Sequence, residues 1–289
     1  MRVWSIIKRI LMVLLFLILP LTAIAYPFVS NFLFDHRTAS QCSAIDKQID
    51  NVDDEIQEEE HHRADVYNQT LANGHVVLTD PFDKDITSKD AEEYASLCNV
   101  TGSGVMGTIE IPSIKVNLPI YHGTSEDVLE KGVGHLQGTS LPVGGESTHT
   151  VLTGHTGLSS AKLFTDLVQL KKGNIFFVHT FGEKLAYKVD DIQVVWPDEM
   201  DSLKVYPGCD YCTLVTCTPY GVNDHRLLVR GVRTDYEEAV EEVKTEEPVQ
   251  ESRWMEEYKK ALVIGFGAFF LIIASAYTVM RVRDRTAGL

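Results

Sequence analysis

"TLVTCTPYGVNDHRLLVRG", residues 213–231, is the stretch on which the fold turns. A run of β-branched and apolar residues ends at Cys217. The turn formers Pro219, Gly221 and Asn223-Asp224 follow, and Arg226 opens a second strand-forming run. Strand, wide turn and strand predict a β-hairpin. Antiparallel pairing sets Cys217 and Arg226 opposite each other at its mouth. A nearby cation lowers a thiol's pKa from about 8.5 and creates a thiolate. The same cation can stabilise the oxyanion formed when that thiolate attacks a carbonyl. Read as structure instead, Cys217 is a small buried hydrophobe or half of a disulfide. The hairpin by itself leaves the two readings even.

Upstream of the hairpin the texture is the same. "MGTIEIPSI", "LPIYHG", "THTVLTGH", "NIFFVHTF" and "KLAYKVDDIQVVW" are β-branched and aromatic, with Gly and Pro between them. Two short helical patterns, "SEDVLEKGV" and "SSAKLFTDLVQL", interrupt. So many strands with so few helices predict a mainly β domain over 105–233, closed or sandwich-like. Residues 35–104 differ. Ile45, Ile49, Val52 and Ile56 form one apolar stripe in a strongly charged background over 35–72, which predicts a solvated helix or helical hairpin. "LANGHVVLTDPFDKD" (71–85) breaks that pattern with Asn-Gly and Asp-Pro, and a second helix is expected over 88–98. Residues 234–260 read as an acidic polar spacer.

The two ends are apolar. No charge occurs from Ile10 to Phe34 or from Ala261 to Met280, and each run is near the roughly 20 residues that a helix needs to cross a bilayer. Arg2, Lys8 and Arg9 precede the first run, and Arg281, Arg283 and Arg285 follow the second. Positive flanks stay inside, so 1–34 and 261–280 are expected as transmembrane segments, with 281–289 a cytoplasmic tail and the middle outside. "AIAYP" (23–27) also fits a cleavage site, which leaves a removed signal peptide as the other reading of the first segment.

The chain has 289 residues, with 26 Lys+Arg and 41 Asp+Glu. The two ends hold six basic residues and one acid, so the middle carries 20 basic against 40 acidic side chains. Such a surface repels phosphates, and nucleic acid is excluded as a partner. Five cysteines, Cys42, Cys98, Cys209, Cys212 and Cys217, leave at least one outside any internal disulfide.

A cysteine nucleophile needs an acid or base partner. His155 stands between two glycines, just past the strand "THTVLT", on the kind of loop where sites are built. His122 and His135 are rivals, His61 and His62 lie on the acidic helix, and His36 sits beside the first apolar run.

"TLVTC" with Arg226 nine residues after its cysteine, and "TGH" upstream, resembles the sortases, cysteine transpeptidases of Gram-positive cell surfaces. "GTSLPVGGESTHTVLTGHTGLSSAKLFTDL", the paired apolar segments and "DPF" (80–82) are similar to the pilin-polymerising class C members. The resemblance covers residues 35–233. It implies a closed β-barrel, Cys217 as nucleophile, His155 as acid/base and Arg226 as oxyanion stabiliser. It also makes Asp80 and Phe82 lid residues, in a lid loop over about 78–86. The partners it implies are the membrane and pilin subunits with an LPxTG-like sorting signal and an acceptor lysine. No cofactor or metal is implied.

Two features depart from the family pattern. Thr156 stands where a basic residue often follows the histidine, and "CDYC" (209–212) lies beside the catalytic strand. No second pair completes four zinc ligands, which leaves a disulfide or two inert thiols. Three other functions stay open: a housekeeping sortase acting on peptidoglycan, a membrane-tethered thiol oxidoreductase using Cys209 and Cys212, and a non-catalytic surface domain.

Overall fold

A computed structural model describes residues 2–74, 78–82, 91–158, 161–245 and 253–287. The chain divides into two units, Met1–Pro248 and Val249–Leu289.

In the first unit, eight strands close a barrel: β1 (Val105–Ile111), β2 (Val116–His122), β3 (Val133–His135), β4 (Thr148–Thr153), β5 (Ile175–Thr180), β6 (Glu183–Val195), β7 (Asp210–Thr218) and β8 (His225–Thr234). Their order around the barrel is β1-β2-β3-β4-β7-β8-β6-β5. Closure removes the open edges that make a sheet prone to aggregate. Most strand positions are buried, since one face lines the barrel interior and helices and loops cover much of the other, though β6 and the end of β8 are partly open. β4, "THTVLT", is buried at every position.

The hairpin of residues 213–231 pairs in the expected register, Cys217 opposite Arg226 and Thr218 opposite His225. The neighbour on the other side of β7 is β4, and that pairing is parallel, with Val151 beside Thr213 and Thr153 beside Val215. Two parallel strands in step end together. This brings the segment after Thr153 next to the end of β7.

Helices cover the barrel. α1 (Arg2–Asp50) runs unbroken past position 34, and α2 (Asp54–Asn73) follows. Ile45 and Ile49 are buried, but Ile56 is half exposed, which corrects the expected single stripe. The chain ends one helix at Asp50 and starts another, because Asp53 caps α2 by accepting from the Glu55 N–H (3.0 Å). Asn68 on α2 clamps the β3–β4 loop, its Oδ1 accepting from Leu141 N at 2.7 Å. α3 (Ala91–Ser96) is shorter than the helix expected over 88–98, and positions 88–90 lie outside the described residues, as do 83–86 of the lid loop. α4 (Glu126–Leu129) falls in the first of the two helical patterns. The second forms a 3-10 turn, Thr165–Gln169.

The spacer contains a surprise. α5 (Tyr236–Thr245) lays Tyr236, Ala239, Val240 and Val243 on Ile175, Phe177 and Ala186 of the barrel. Those spacings of three, four and seven are a helical stripe, hidden in the sequence by the acids between them.

The second unit holds α6 (Arg253–Ala287). Among the described residues, no helix is long and apolar enough to cross a membrane. Most side chains between 5 and 23 and between 272 and 287, which take in about half of the two uncharged runs, lie outside the described set.

Candidate active site

His155 lies two residues past Thr153, and Cys217 two past Val215, so the parallel register sets them side by side. Arg226 faces Cys217 from the other side. The order across the sheet is His155, Cys217, Arg226, three residues drawn from three strand ends. The peptide before His155 is fixed: Gly154 N donates to Val215 O (3.0 Å), and Thr216 Oγ1 donates to Gly154 O (2.7 Å). Glycine is required there, because a Cβ at 154 would lie 2.7 Å from the Phe164 ring.

Alternation along a strand puts Cys217, Val215, Leu228 and Val151 on one face. That face carries an apolar patch of Leu136, Val151, Met200, Leu203, Val215 and Leu228. Leu78 and Phe82 pack onto it from the loop after α2. A cavity of about 600 Å³ adjoins it, lined by Leu71, Leu78, Thr139, Met200, Leu203 and Lys204 among others.

Asp80 and Phe82 are brought to the same place. Asp80 grips Arg226 with both oxygens, Nε to Oδ1 at 2.8 Å and Nη2 to Oδ2 at 2.6 Å. This is the bidentate fork that guanidinium and carboxylate favour. Arg226 Nη1 donates to Asn223 O and His225 O, both at 3.0 Å. Asn223 has φ 62°, a left-handed turn position that Asn tolerates. The Phe82 ring lies 5.0 Å from the Arg226 guanidinium and 5.7 Å from the His155 ring, so it spans the two neighbours of Cys217. Its own N–H reaches Asp80 Oδ1 at 3.3 Å, closing the "DPF" turn on itself.

The electrostatics correct one expectation. The sequence suggested a thiol lowered by Arg226. Instead Cys217 is pushed up to about 11: burial is the main cause, Arg226 pulls down against it, and Asp80 pushes up. With Asp80 on the guanidinium, the cation no longer works for the thiol alone. In this arrangement the thiol stays protonated.

The rival histidines have other partners. His122 Nε2 lies 2.6 Å from Leu97 O, and the buried His135 Nδ1 lies 2.8 Å from Tyr94 Oη. His61 lies 3.3 Å from Asp65. Cys209 and Cys212 are free thiols near the opposite end of β7 from Cys217, with Cys212 fully buried. Sequence reasoning missed Leu78, Met200 and Leu203, whose apolar side chains carry no chemical signature, and Glu126, whose Oε1 is 3.5 Å from His155 Nε2.

Comparison with known proteins adds the family. Residues 109–234 match the sortase domain. Sortase C-1 from Actinomyces oris is 51% identical, with a TM-score of 0.60 over 63% of this chain and 99% of that one. A sortase C from Streptococcus pneumoniae, described in connection with pilin substrate specificity, is 43% identical, with a TM-score of 0.61 over 68% of this chain and 97% of that one. Sortase A of Streptococcus agalactiae is 32% identical over 117 residues, 39% of this chain, and the match spans about half of that protein's length (47%). A closed barrel of this order, carrying this hairpin and matching those solved structures nearly end to end, places the chain in the sortase family of transpeptidases and, within it, in class C.

Proposed function

We propose that the chain is a pilin-joining transpeptidase in which Cys217 is the nucleophile, His155 the acid/base and Arg226 the oxyanion stabiliser. The single observation that carries this reading is the juxtaposition of the three at the end of one apolar face. With the lid lifted, that face and the adjoining cavity offer room for the leucine and proline of an LPxTG-like signal.

Once the lid opens, Cys217 passes its proton to His155, and the thiolate attacks the threonine carbonyl carbon. The developing oxyanion is stabilised by the Arg226 donors that Asp80 releases. The Thr–Gly C–N bond breaks, and His155 gives its proton to the departing amine. A lysine amine of a second subunit then attacks the thioester. It loses its proton to His155, the thiolate leaves, and an isopeptide bond joins the subunits. The sortase C from Streptococcus pneumoniae, described with pilin substrate specificity, supports the choice of substrate. The closed Asp80–Arg226 fork supports a resting form shut until substrate displaces it.

The uncharged runs at 10–34 and 261–280, with their basic flanks, support anchoring at the membrane where secreted subunits emerge. The deciding experiment is incubation of the chain with an LPxTG-type peptide and a second, lysine-bearing peptide. Joined product with release of the glycine-initiated fragment is expected. Simple hydrolysis, or joining only to peptidoglycan-type amines, would contradict the pilin reading.

A further inference from the structure

The acid/base histidine has a neighbour that the proposed chemistry has not used. α4 is a single turn whose Leu129 is buried. Glu126, three residues earlier, lies on the same face of that turn. Its Oε1 stands 3.5 Å from His155 Nε2. The Glu126 side chain is half exposed, whereas His155 Nε2 is shut off from solvent. On another side, the Phe82 ring limits movement of the imidazole.

We propose that Glu126 is a positioning residue for His155: its carboxylate fixes the ring through Nε2, leaves Nδ1 to exchange protons with Cys217, and favours the imidazolium. A base oriented by a third group is the usual arrangement around an activated nucleophile. Catalytic contacts are often long in a resting enzyme and tighten with substrate, which suits a distance of 3.5 Å.

Among the described residues, the ionisable groups at this end of the sheet include Cys217 from β7, Arg226 from β8, Asp80 from the lid loop, and Tyr220, whose ring stands beside Gly157. Asp80 is held by both arms of Arg226, so the carboxylate that acts on the imidazole is Glu126. Its charge keeps more of His155 as imidazolium, the form that protonates the leaving amine.

The inference rests on His155 being the acid/base, so its test includes a readout that needs no turnover. The full chain, carrying ¹³C-labelled histidine, is titrated by NMR as wild type, Glu126→Gln and Glu126→Asp, with His155→Ala assigning the signal. Glu126→Gln keeps size and loses charge. The His155 midpoint should fall by roughly half a pH unit, the scale of a half-exposed ion pair. Glu126→Asp should recover part of the shift. Raising salt from about 0.05 to about 0.5 M should lower the wild-type midpoint and leave that of Glu126→Gln unchanged. Transpeptidation kcat should fall several-fold in Glu126→Gln, with KM within about twofold and the alkaline limb of the kcat profile moved down. An unchanged midpoint, or a lowered midpoint with unchanged kcat, overturns the proposal. A wild-type chain without turnover, but with the shifted midpoint, indicts the transpeptidase reading and not the pair.

Discussion

Removing the lid contacts should wake the thiol. The perturbation is Asp80→Ala together with Phe82→Ala. The fork between Asp80 and Arg226 is sheltered, with side chains 19% and 9% exposed. Hydrogen bonds to charged groups contribute about 2 kcal/mol in such settings. If the lid is shut in nearly all molecules, losing that preference raises apparent peptide affinity by up to about 30-fold.

The thiol gives a second readout. At about 11, roughly one Cys217 in a thousand is ionised at pH 8. The double substitution deletes the Asp80 charge, returns Arg226 to the thiol and lets water reach it, removing two causes of the rise and strengthening the one that opposes it. A fall of about two units, within the range a nearby cation achieves, raises the thiolate about 100-fold. Lower basicity also weakens the nucleophile and takes back about tenfold, leaving a net gain of about tenfold.

The assay is timed iodoacetamide labelling of the full chain, read peptide by peptide by mass spectrometry. Cys42, Cys98 and Cys212 are buried, and the partly exposed Cys209 serves as an internal control. Melting temperature should fall by no more than several degrees, the scale of about 2 kcal/mol in a domain of this size, because the barrel itself is untouched. Equal labelling of Cys217 in wild type and double variant would refute the lid.

Other outcomes follow from the same geometry. Cys217→Ala and His155→Ala should abolish transpeptidation, and Arg226→Lys should lose most of it, because a point charge does not reproduce a planar fork of donors; near-normal turnover by Arg226→Lys would leave Arg226 a structural residue. Gly154→Ala should push the Phe164 ring and displace His155, costing roughly 1–3 kcal/mol of stability and at least about tenfold in kcat, as read by denaturant unfolding and peptide kinetics. Burial lowers both His135 and His149 from 6.5 to about 4. Between those values the unfolded chain binds more protons than the folded one. Stability is therefore intact above about 6.5 and is lost as pH falls towards 4, by up to roughly 3 kcal/mol per group. A melting temperature flat from pH 7 to pH 4.5 would contradict that.

The barrel was legible because its cause is local. Alternating β-branched residues and turn formers fix each strand, and the spacing of Cys217 and Arg226 around one turn fixes their register. The approach of His155 was not legible from pattern alone. It depends on the parallel pairing of β4 with β7 across about sixty residues, and a period-two pattern does not say which strand lies beside which. The Asp80–Arg226 contact joins residues 146 apart and was reachable only through family resemblance. The Cys217 thiol is raised, opposite to the sequence argument, chiefly because it is buried; that argument counted the cation and neither the burial nor the acid seated on it. α5 was hidden because its four apolar stripe residues are interleaved with as many acids. The stripe extended to Ile56 failed because Asp53 suits a helix start better than a helix interior.

The central claim is that Cys217 carries the acyl group. The most direct measurement is intact and peptide-resolved mass spectrometry of the chain, in wild-type and lid-open forms, quenched in acid during incubation with an LPxTG-type peptide and no amine acceptor. The account predicts an added mass equal to the peptide through its threonine, located on Cys217, more abundant in the lid-open form and discharged by a lysine-bearing peptide. Cleavage of the peptide with no adduct on Cys217, or an adduct on Cys209 or Cys212 instead, would contradict it.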